Sequence, residues 1–218
     1  MKTDEQLRTD VISELQWNPR IKSRQIGVIV KDGAVTLTGM VETLADKRSA
    51  DLAAKNVKGV RAVADDIEVK LPAQMRRSDE GIAEQAARLL TWYSSLRDMD
   101  VQAEVDNGHV ILTGDVDFLY QKEIAAERVA ELDGVIGVSN KITVRPPKIA
   151  DAREVKRQIM SALHRHANLE ASRVDVSVIE GAVTLEGTVD TYRERDLIKE
   201  AIRGTSGVHE IVDNLRVR

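Results

Sequence analysis

The sequence predicts an α+β protein built from three tandem domains, each with the element order αββαβ. Three observations lead to this prediction. One motif occurs three times along the chain, the spacing of apolar residues changes in the same order within each copy, and short proline-containing linkers separate the copies. The repeat period is longer than that of a solenoid, so each copy is expected to fold as a small domain.

The repeat is clearest in a short segment bounded by glycines. GAVTLTG at 33–39 recurs as GHVILTG at 108–114 and as GAVTLEG at 181–187, at offsets of 75 and 73 residues. A Gly-Val pair follows 20 residues after the second glycine in every copy. The predicted domains are 1–71, 78–145 and 150–218, with Pro72 in the first linker and Pro146-Pro147 in the second.

Each copy is expected to begin with a helix. Leu7, Val11 and Leu15 are spaced four residues apart and therefore lie on one helical face, and the other two copies keep this apolar spacing. Thr3 and Ser78 directly precede two of these helices and are predicted to be their N-caps.

The middle of each copy predicts a hairpin followed by a second helix. Apolar residues alternate on both sides of Asp32-Gly33, which is the pattern of two strands joined by a tight turn. An alanine-rich helical pattern follows from Leu44, and Gly59 is predicted to be its left-handed C-cap. A last strand, 63–69, then requires a crossover connection, which favours a mixed three-stranded sheet with both helices on one face.

Composition excludes several classes of protein. The 218 residues include no cysteine, which rules out disulfide scaffolds, cysteine metal sites and thiol catalysis. The N-terminal segment MKTDEQLRTDVISEL has no apolar run of the length that a signal peptide needs. We therefore expect a cytoplasmic protein if Met1 is the native start, and a periplasmic one if a leader has been removed.

The repeated residues resemble the BON family, a bacterial domain named for osmotically inducible and nodulation proteins. The family pattern combines an Asp/Asn-Gly turn, a V-x-L-x-G strand and a final G-V-x-x-V-x-N-x-[LI]-x-V segment. The matching positions, which we expect to be structural, are Gly33, Gly39, Gly59, Asp65, Gly108, Gly114, Gly134, Asn140, Gly181, Gly187, Gly207 and Asp213.

The resemblance implies a transport-associated, non-enzymatic protein of osmotic or envelope stress that binds phospholipid headgroups or membrane-associated partners. The alternative is a chaperone-like scaffold that makes protein–protein contacts without binding lipid. Exposed strand edges and the charge of the middle copy would carry such contacts.

The polar position in the last strand has two interpretations. Asp65, Asn140 and Asp213 follow the alternation of buried residues, and an unpaired polar group there costs about 1–3 kcal/mol. The more common explanation is a hydrogen bond to nearby backbone, for instance where the second helix meets the last strand. The alternative is a ligand contact repeated three times.

The aromatic residues are candidates for partner or lipid contact. Trp17 and Trp92 occupy equivalent positions at the ends of the first helices of copies one and two, and Tyr93 follows in copy two. Such residues more often close a core or fill a domain interface. The alternative is an amphipathic ring that lies at a membrane interface.

No catalytic, cofactor or metal site is predicted. The copies share no histidine among His109, His164, His166 and His209, and the sequence has neither G-x-S-x-G nor H-E-x-x-H. G-x-x-G strings at 134–137 and 204–207 lack a shared set of flanking basic residues, so nucleic-acid binding is not expected either. Coordination of a small cation by turn carbonyls remains open.

Charge is unevenly distributed among the copies. Residues 79–145 hold 6 basic and 13 acidic side chains, which gives a net charge of −7. Residues 1–71 have a net charge of +1, and the charges of residues 146–218 cancel. The middle copy should repel anionic headgroups at low salt. The sheet face opposite the helices is expected to be hydrophilic, with threonines at Thr36, Thr38, Thr113, Thr143, Thr184 and Thr188.

Overall fold

A computed structural model of the chain describes residues 2–19, 21, 25–147, 151–165 and 173–217. The first repeat contains two helices and three strands in the predicted order. Its elements are α1 (Asp4–Trp17), β1 (Ile26–Lys31), β2 (Ala34–Val41), α2 (Leu44–Asn56) and β3 (Ala62–Val69).

The second and third repeats have the same order of elements. A 3₁₀ turn at Ala73–Met75 precedes the second repeat. That repeat consists of α3 (Asp79–Trp92), β4 (Asp100–Asp106), β5 (His109–Val116), α4 (Leu119–Val129), β6 (Gly137–Asn140) and β7 (Thr143–Val144). The third consists of α5 (Ala152–Arg165), β8 (Val174–Ile179), β9 (Ala182–Val189), α6 (Tyr192–Arg203) and β10 (Glu210–Val217).

The predicted α+β class with three mixed sheets is confirmed. In the first sheet β2 lies in the centre, antiparallel to β1 and parallel to β3. The third sheet has the order β10-β9-β8. In the second sheet the last strand is divided into β6 and β7, both parallel to β5. The Lys141 amide lies between these two pieces and still donates to the Leu112 carbonyl at 2.8 Å, so the pairing continues across the break.

Helix starts and core faces agree with the sequence pattern. The Thr3 hydroxyl accepts from the Gln6 amide at 3.2 Å, and the Ser78 hydroxyl accepts from the Gly81 amide at the same distance. Both predicted N-caps are therefore confirmed. The residues predicted for the apolar face of α1 are all buried, together with alanines of α2 and alternate residues of β1 and β2.

The hairpin turns share an unusual backbone conformation. The two turn residues have φ values of 51° and 78° in the first repeat, 49° and 77° in the second, and 51° and 90° in the third. Positive φ at both positions is the signature of a type I′ turn, which matches the twist of the flanking strands.

The prediction that Gly59 caps α2 is wrong. The helix ends at Asn56, and its C-cap is Val57 in extended conformation. The Val60 amide then donates to the Val57 carbonyl at 3.2 Å, which places Gly59 at the third position of a β-turn. Its φ of 104° is what that turn requires, so the glycine serves the turn after the helix and not the helix end.

The described chain divides into two compact units. One comprises residues 1–76 with 190–193 and 217–218, and the other comprises residues 77–189 and 194–216. The first unit contains the core of the first repeat, and the second unit contains most of the second and third repeats.

Candidate interaction surfaces

Two tryptophans are the most exposed large apolar side chains of the described residues. Trp17, at the end of α1, is 85% exposed, and Trp92, at the end of α3, is 82% exposed. Each follows the last buried leucine of its helix by two positions, which turns the indole away from the core face. The expectation that these rings close the core of their repeats is therefore wrong.

The two indoles have no counterpart in the third repeat. The repeat offsets place Arg165 at the equivalent position, at the end of α5, where the side chain is exposed. An exposed aromatic ring at a helix end is thus a feature of the first two repeats only.

Trp17 borders a shallow depression on the first repeat. Its walls include Val57 and Glu14, together with Lys2 and Asp10, whose charged groups are 2.6 Å apart. The indole therefore presents an apolar surface beside charged groups, which is the environment that tryptophan occupies at a membrane–water interface.

A cavity of about 790 Å³ lies beside the β1–β2 turn in the first unit. Lys2 borders both this cavity and the depression beside Trp17. The carboxylate of Asp4, on the cavity wall, already accepts two backbone hydrogen bonds. The full lining is Lys2, Asp4, Gln6, Leu7, Asp32, Gly33, Lys58, Gly59, Arg61 and Asp190.

Tyr93 differs from the two tryptophans. Its ring is half-buried, and the guanidinium carbon of Arg128 lies 5.8 Å from the ring centroid. Arg128 also pairs with Glu131 at 3.0 Å. Since α4 already covers one face of the ring, Tyr93 offers less surface to a partner than either indole.

The polar position in the last strand makes the backbone hydrogen bond that its structural interpretation requires. The side-chain oxygen accepts from the amide two residues further on, at 3.1 Å in the first and third repeats and 3.2 Å in the second. The residues are Asp65, Asn140 and Asp213.

A second contact ties the same position to the second helix. Arg195 Nε donates to Asp213 at 2.7 Å, and Lys47 Nζ lies 3.6 Å from Asp65. In the second repeat the equivalent cation is Lys122, and Asn140 donates instead to the backbone carbonyl of that residue at 2.6 Å. Aspartate is thus paired with a cation, while asparagine bonds to the peptide, and every copy joins its helix to its last strand at this point.

Sequence reasoning missed a contact between the first helix and the hairpin turn. The Asp4 carboxylate accepts from the amides of Asp32 and Gly33, at 2.8 and 3.1 Å. The Asp79 carboxylate accepts from those of Asn107 and Gly108, at 2.7 and 2.9 Å. We call this the carboxylate–turn contact. Its sequence signal is an aspartate 28 residues before the turn, and the third repeat has Ala152 at that position.

The three histidines that the structure describes lie at separate places. His209 lies beside the third hairpin turn, with Nε2 3.0 Å from the Glu180 carbonyl, and the ring of His109 lies against Gly137. His164 is in the last turn of α5, and His166 lies outside the described residues. Within the described part of the chain, no three His, Asp or Glu side chains are grouped to hold a metal ion.

No helix in the described ranges combines the length and the apolar character needed to cross a membrane.

Comparison with known proteins defines the class of the chain. It belongs to the BON domain family, whose model matches residues 3–70, 78–146 and 151–218. The three matches follow the three αββαβ repeats, and the family resemblance predicted from the glycine and Asp/Asn positions is confirmed.

The individual proteins to which this chain is similar have low sequence identity to it. The osmotically-inducible protein Y of Escherichia coli is 25% identical over 146 residues, covering 64% of this chain and 73% of the relative. An uncharacterised protein of Anaplasma centrale is 26% identical over 124 residues, covering 54% and 82%. CdsD, a structural protein of the type III secretion system of Chlamydia trachomatis, aligns at 17% identity over 98% of this chain and 92% of the solved chain, with a TM-score of 0.27.

Proposed function

We propose that this chain is a non-enzymatic binding protein of a stress response, and that it engages phospholipid headgroups at a membrane surface. The observation that carries the proposal is the pair of exposed indoles at equivalent helix ends of the first two repeats. Aqueous exposure of so much indole surface is unfavourable, and the ring is well suited to the headgroup region of a bilayer.

Charges near Trp17 support a headgroup as the polar ligand. Lys2, Lys58 and Arg61 line the neighbouring cavity, and Lys2 also borders the depression beside the indole. An ammonium or guanidinium group near a membrane surface contributes on the order of 1 kcal/mol with anionic lipid. An apolar ring beside Lys2 fits a headgroup with an acyl chain behind it.

The two indoles should not contribute equally on an anionic surface. The first repeat region carries +1, whereas the second carries −7 and is repelled by anionic headgroups at low salt. We therefore propose that Trp17 is the main contact on anionic vesicles and that Trp92 contributes mainly on zwitterionic ones.

Vesicle flotation with the full chain tests this proposal. We expect the chain to float with anionic vesicles, Trp17→Ala to lose most of that binding, and Trp92→Ala to lose less. The matched control is Ile179→Ala, because Ile179 is 72% exposed and lies at the hairpin turn of the third repeat. Tryptophan emission should shift to shorter wavelength when vesicles are added. Absence of flotation with both lipid types, or an equal loss with Ile179→Ala, would refute the headgroup proposal.

The alternative function, a scaffold that contacts proteins without lipid, rests on a different observation. The exposed face of β4 carries Asp100, Glu104 and Asp106, and β4 is an edge strand of its sheet. An acidic edge strand suits a basic partner segment that adds to the sheet. Under this function, Glu104→Lys would reduce capture of partners from a stressed lysate, while alanine at Trp17 would leave it unchanged.

The stress role is supported by the osmotically-inducible relative, and induction of this chain after an osmotic upshift is the direct test. The compartment depends on whether a leader precedes Met1 in the cell. Without a leader the chain stays in the cytoplasm, and with one it is exported to the periplasm. Fractionation of cells that express the chromosomal gene separates the two.

A further inference from the structure

The three hairpin turns present the same backbone groups in the same geometry. Besides the shared φ values, the carbonyl of the second turn residue accepts a backbone amide in each repeat. The donors are Arg61, Ile136 and His209, at 2.9, 3.0 and 3.1 Å. The turn backbone that carries these two amides is therefore equivalent in the three repeats.

In the first two repeats this pair of donors holds a carboxylate. The carboxylate–turn contact is bidentate, one oxygen to each amide, at distances between 2.7 and 3.1 Å. Consecutive amides with positive φ form a concave anion-binding surface, and ionised acceptors make the strongest hydrogen bonds to it. In two of the three repeats, then, the ligand of this turn is a carboxylate.

The third repeat has the donors without the acceptor. Ala152 occupies the position of Asp4 and Asp79, and across the described ranges no side chain accepts from the amides of Glu180 or Gly181. Helix α5 is seated on its sheet as the other two helices are, since Val155, Ile159 and Leu163 are buried. A methyl group therefore stands where the other repeats place a carboxylate.

The residue that follows this position also differs in charge. Glu5 and Glu80 follow the aspartates in α1 and α3, whereas Arg153 follows Ala152 in α5. Asp151 and Glu154 accompany Arg153 at the start of α5, so this helix end carries both signs of charge. The imidazole of His209 also lies at the turn, 3.0 Å from the Glu180 carbonyl.

Negative groups at the start of α5 and in the turn are engaged or exposed. Asp151 accepts from the Arg153 amide at 2.7 Å, and Glu154 pairs with Arg157 at 2.6 Å. The side chain of Glu180 is on an exposed residue. None of these carboxylates takes the position that Asp4 and Asp79 hold in their repeats.

We propose that the third repeat binds a carboxylate from another molecule at the amides of Glu180 and Gly181, completing the contact that the other two repeats make internally. The ligand is an acidic segment of a partner protein, and its carboxylate comes from an aspartate or glutamate side chain or from the chain terminus. This site is separate from the exposed indoles and does not depend on lipid binding.

The test is a titration of the full chain followed by amide NMR, with acetate as the probe for the shared chemistry. We expect saturable shifts of the Glu180 and Gly181 amides in the wild-type chain. They should be lost in Ala152→Asp, where the carboxylate is supplied internally. Two peptides then separate the sources: one has an aspartate and an amidated C-terminus, and the other has a free C-terminus and no acidic side chain.

Repeat two supplies the matched control. Asp79→Ala removes the internal carboxylate, so the amides of Asn107 and Gly108 should become responsive to acetate, while those of Glu180 and Gly181 respond as before. Circular dichroism verifies that each variant is folded. The proposal is overturned if acetate leaves the Glu180 and Gly181 amides unshifted in the wild-type chain, or if Ala152→Asp responds as the wild-type chain does.

Discussion

The second and third repeats differ at a position where their hairpin turns have the same backbone conformation. In the second repeat Asp79 joins α3 to the hairpin turn, and in the third Ala152 leaves the same turn without that acceptor. The buried faces of α3 and α5 nevertheless follow the same spacing. The core pattern is thus sufficient to seat the helix, and the carboxylate–turn contact is an addition that a repeat can lose.

The largest expected effect concerns a feature that the repeats share. A Cβ at Gly114 would lie 1.7 Å from the Asp100 carbonyl oxygen, and its φ is 117°. Gly114→Ala should destabilise the chain by more than about 3 kcal/mol, measured as urea unfolding followed by circular dichroism. Gly204→Ala is the control, because among the described residues no atom beyond the glycine and its adjoining backbone lies within 4 Å of the added carbon, and its effect should stay under about 1 kcal/mol. A loss at Gly114→Ala as small as that at Gly204→Ala would show that the glycine within β5 is dispensable.

Removing the contact from the second repeat should have the next largest effect. Asp79→Ala leaves two turn amides without their ionised acceptor and is expected to cost about 1–3 kcal/mol in urea unfolding. Glu80→Ala is the matched control at the neighbouring position, since it removes only a charge near the helix N-terminus, worth about 0.3–1 kcal/mol. A loss no larger than that of the control would mean that the hydrogen bonds add nothing to the charge effect.

Adding the contact to the third repeat should stabilise the chain, the opposite of the effect expected for Asp79→Ala. Ala152→Asp is expected to raise the free energy of unfolding by about 0.5–1.5 kcal/mol, since an ionised oxygen would meet each turn amide. Ala152→Asn provides the uncharged comparison and should gain less. Destabilisation by the aspartate would indicate that α5 is not placed as α3 is.

The smallest expected effect is a change in the pKa of Glu123, a residue of α4. Burial raises the pKa of Glu123 above its ordinary value of 4.5, and the guanidinium of Arg203, with which it pairs, opposes the rise. Arg203→Ala should therefore raise the pKa further, as measured by carboxyl carbon NMR, and Lys199→Ala should raise it less.

The sign of the stability effect follows from this raised pKa. Between the ordinary and the raised value the folded chain binds more protons at Glu123 than the unfolded chain does. The contribution of Glu123 to the free energy of unfolding consequently falls as pH rises through that window. A contribution that increases with pH there would contradict the desolvated environment of this carboxyl group.

Much of the fold could be predicted because it depends on local patterns. The period of four in α1 and the alternation around Asp32-Gly33 each report burial directly, and both agree with the structure. The carboxylate–turn contact could not be predicted in this way, because Asp4 meets the turn only after the helix has docked on the sheet.

The candidate site shows a second limit. Residue type favours closing a core or filling a domain interface as the common role of a residue such as Trp17, yet its position two residues after Leu15 already places it off the core face. The position of Trp17 in the helical repeat predicts its exposure better than its residue type does. The ligand of an exposed ring lies outside the chain, so no internal pattern reports it.

The absence of this carboxylate from the third repeat has a consequence for local unfolding. In the first two repeats one hydrogen-bonded carboxylate closes a segment of 28 residues between helix and hairpin, so the two are expected to open together. In the third they can open separately. If a partner supplies the carboxylate, the opening of α5 becomes linked to the concentration of that partner, and amide hydrogen exchange in this repeat would report its occupancy.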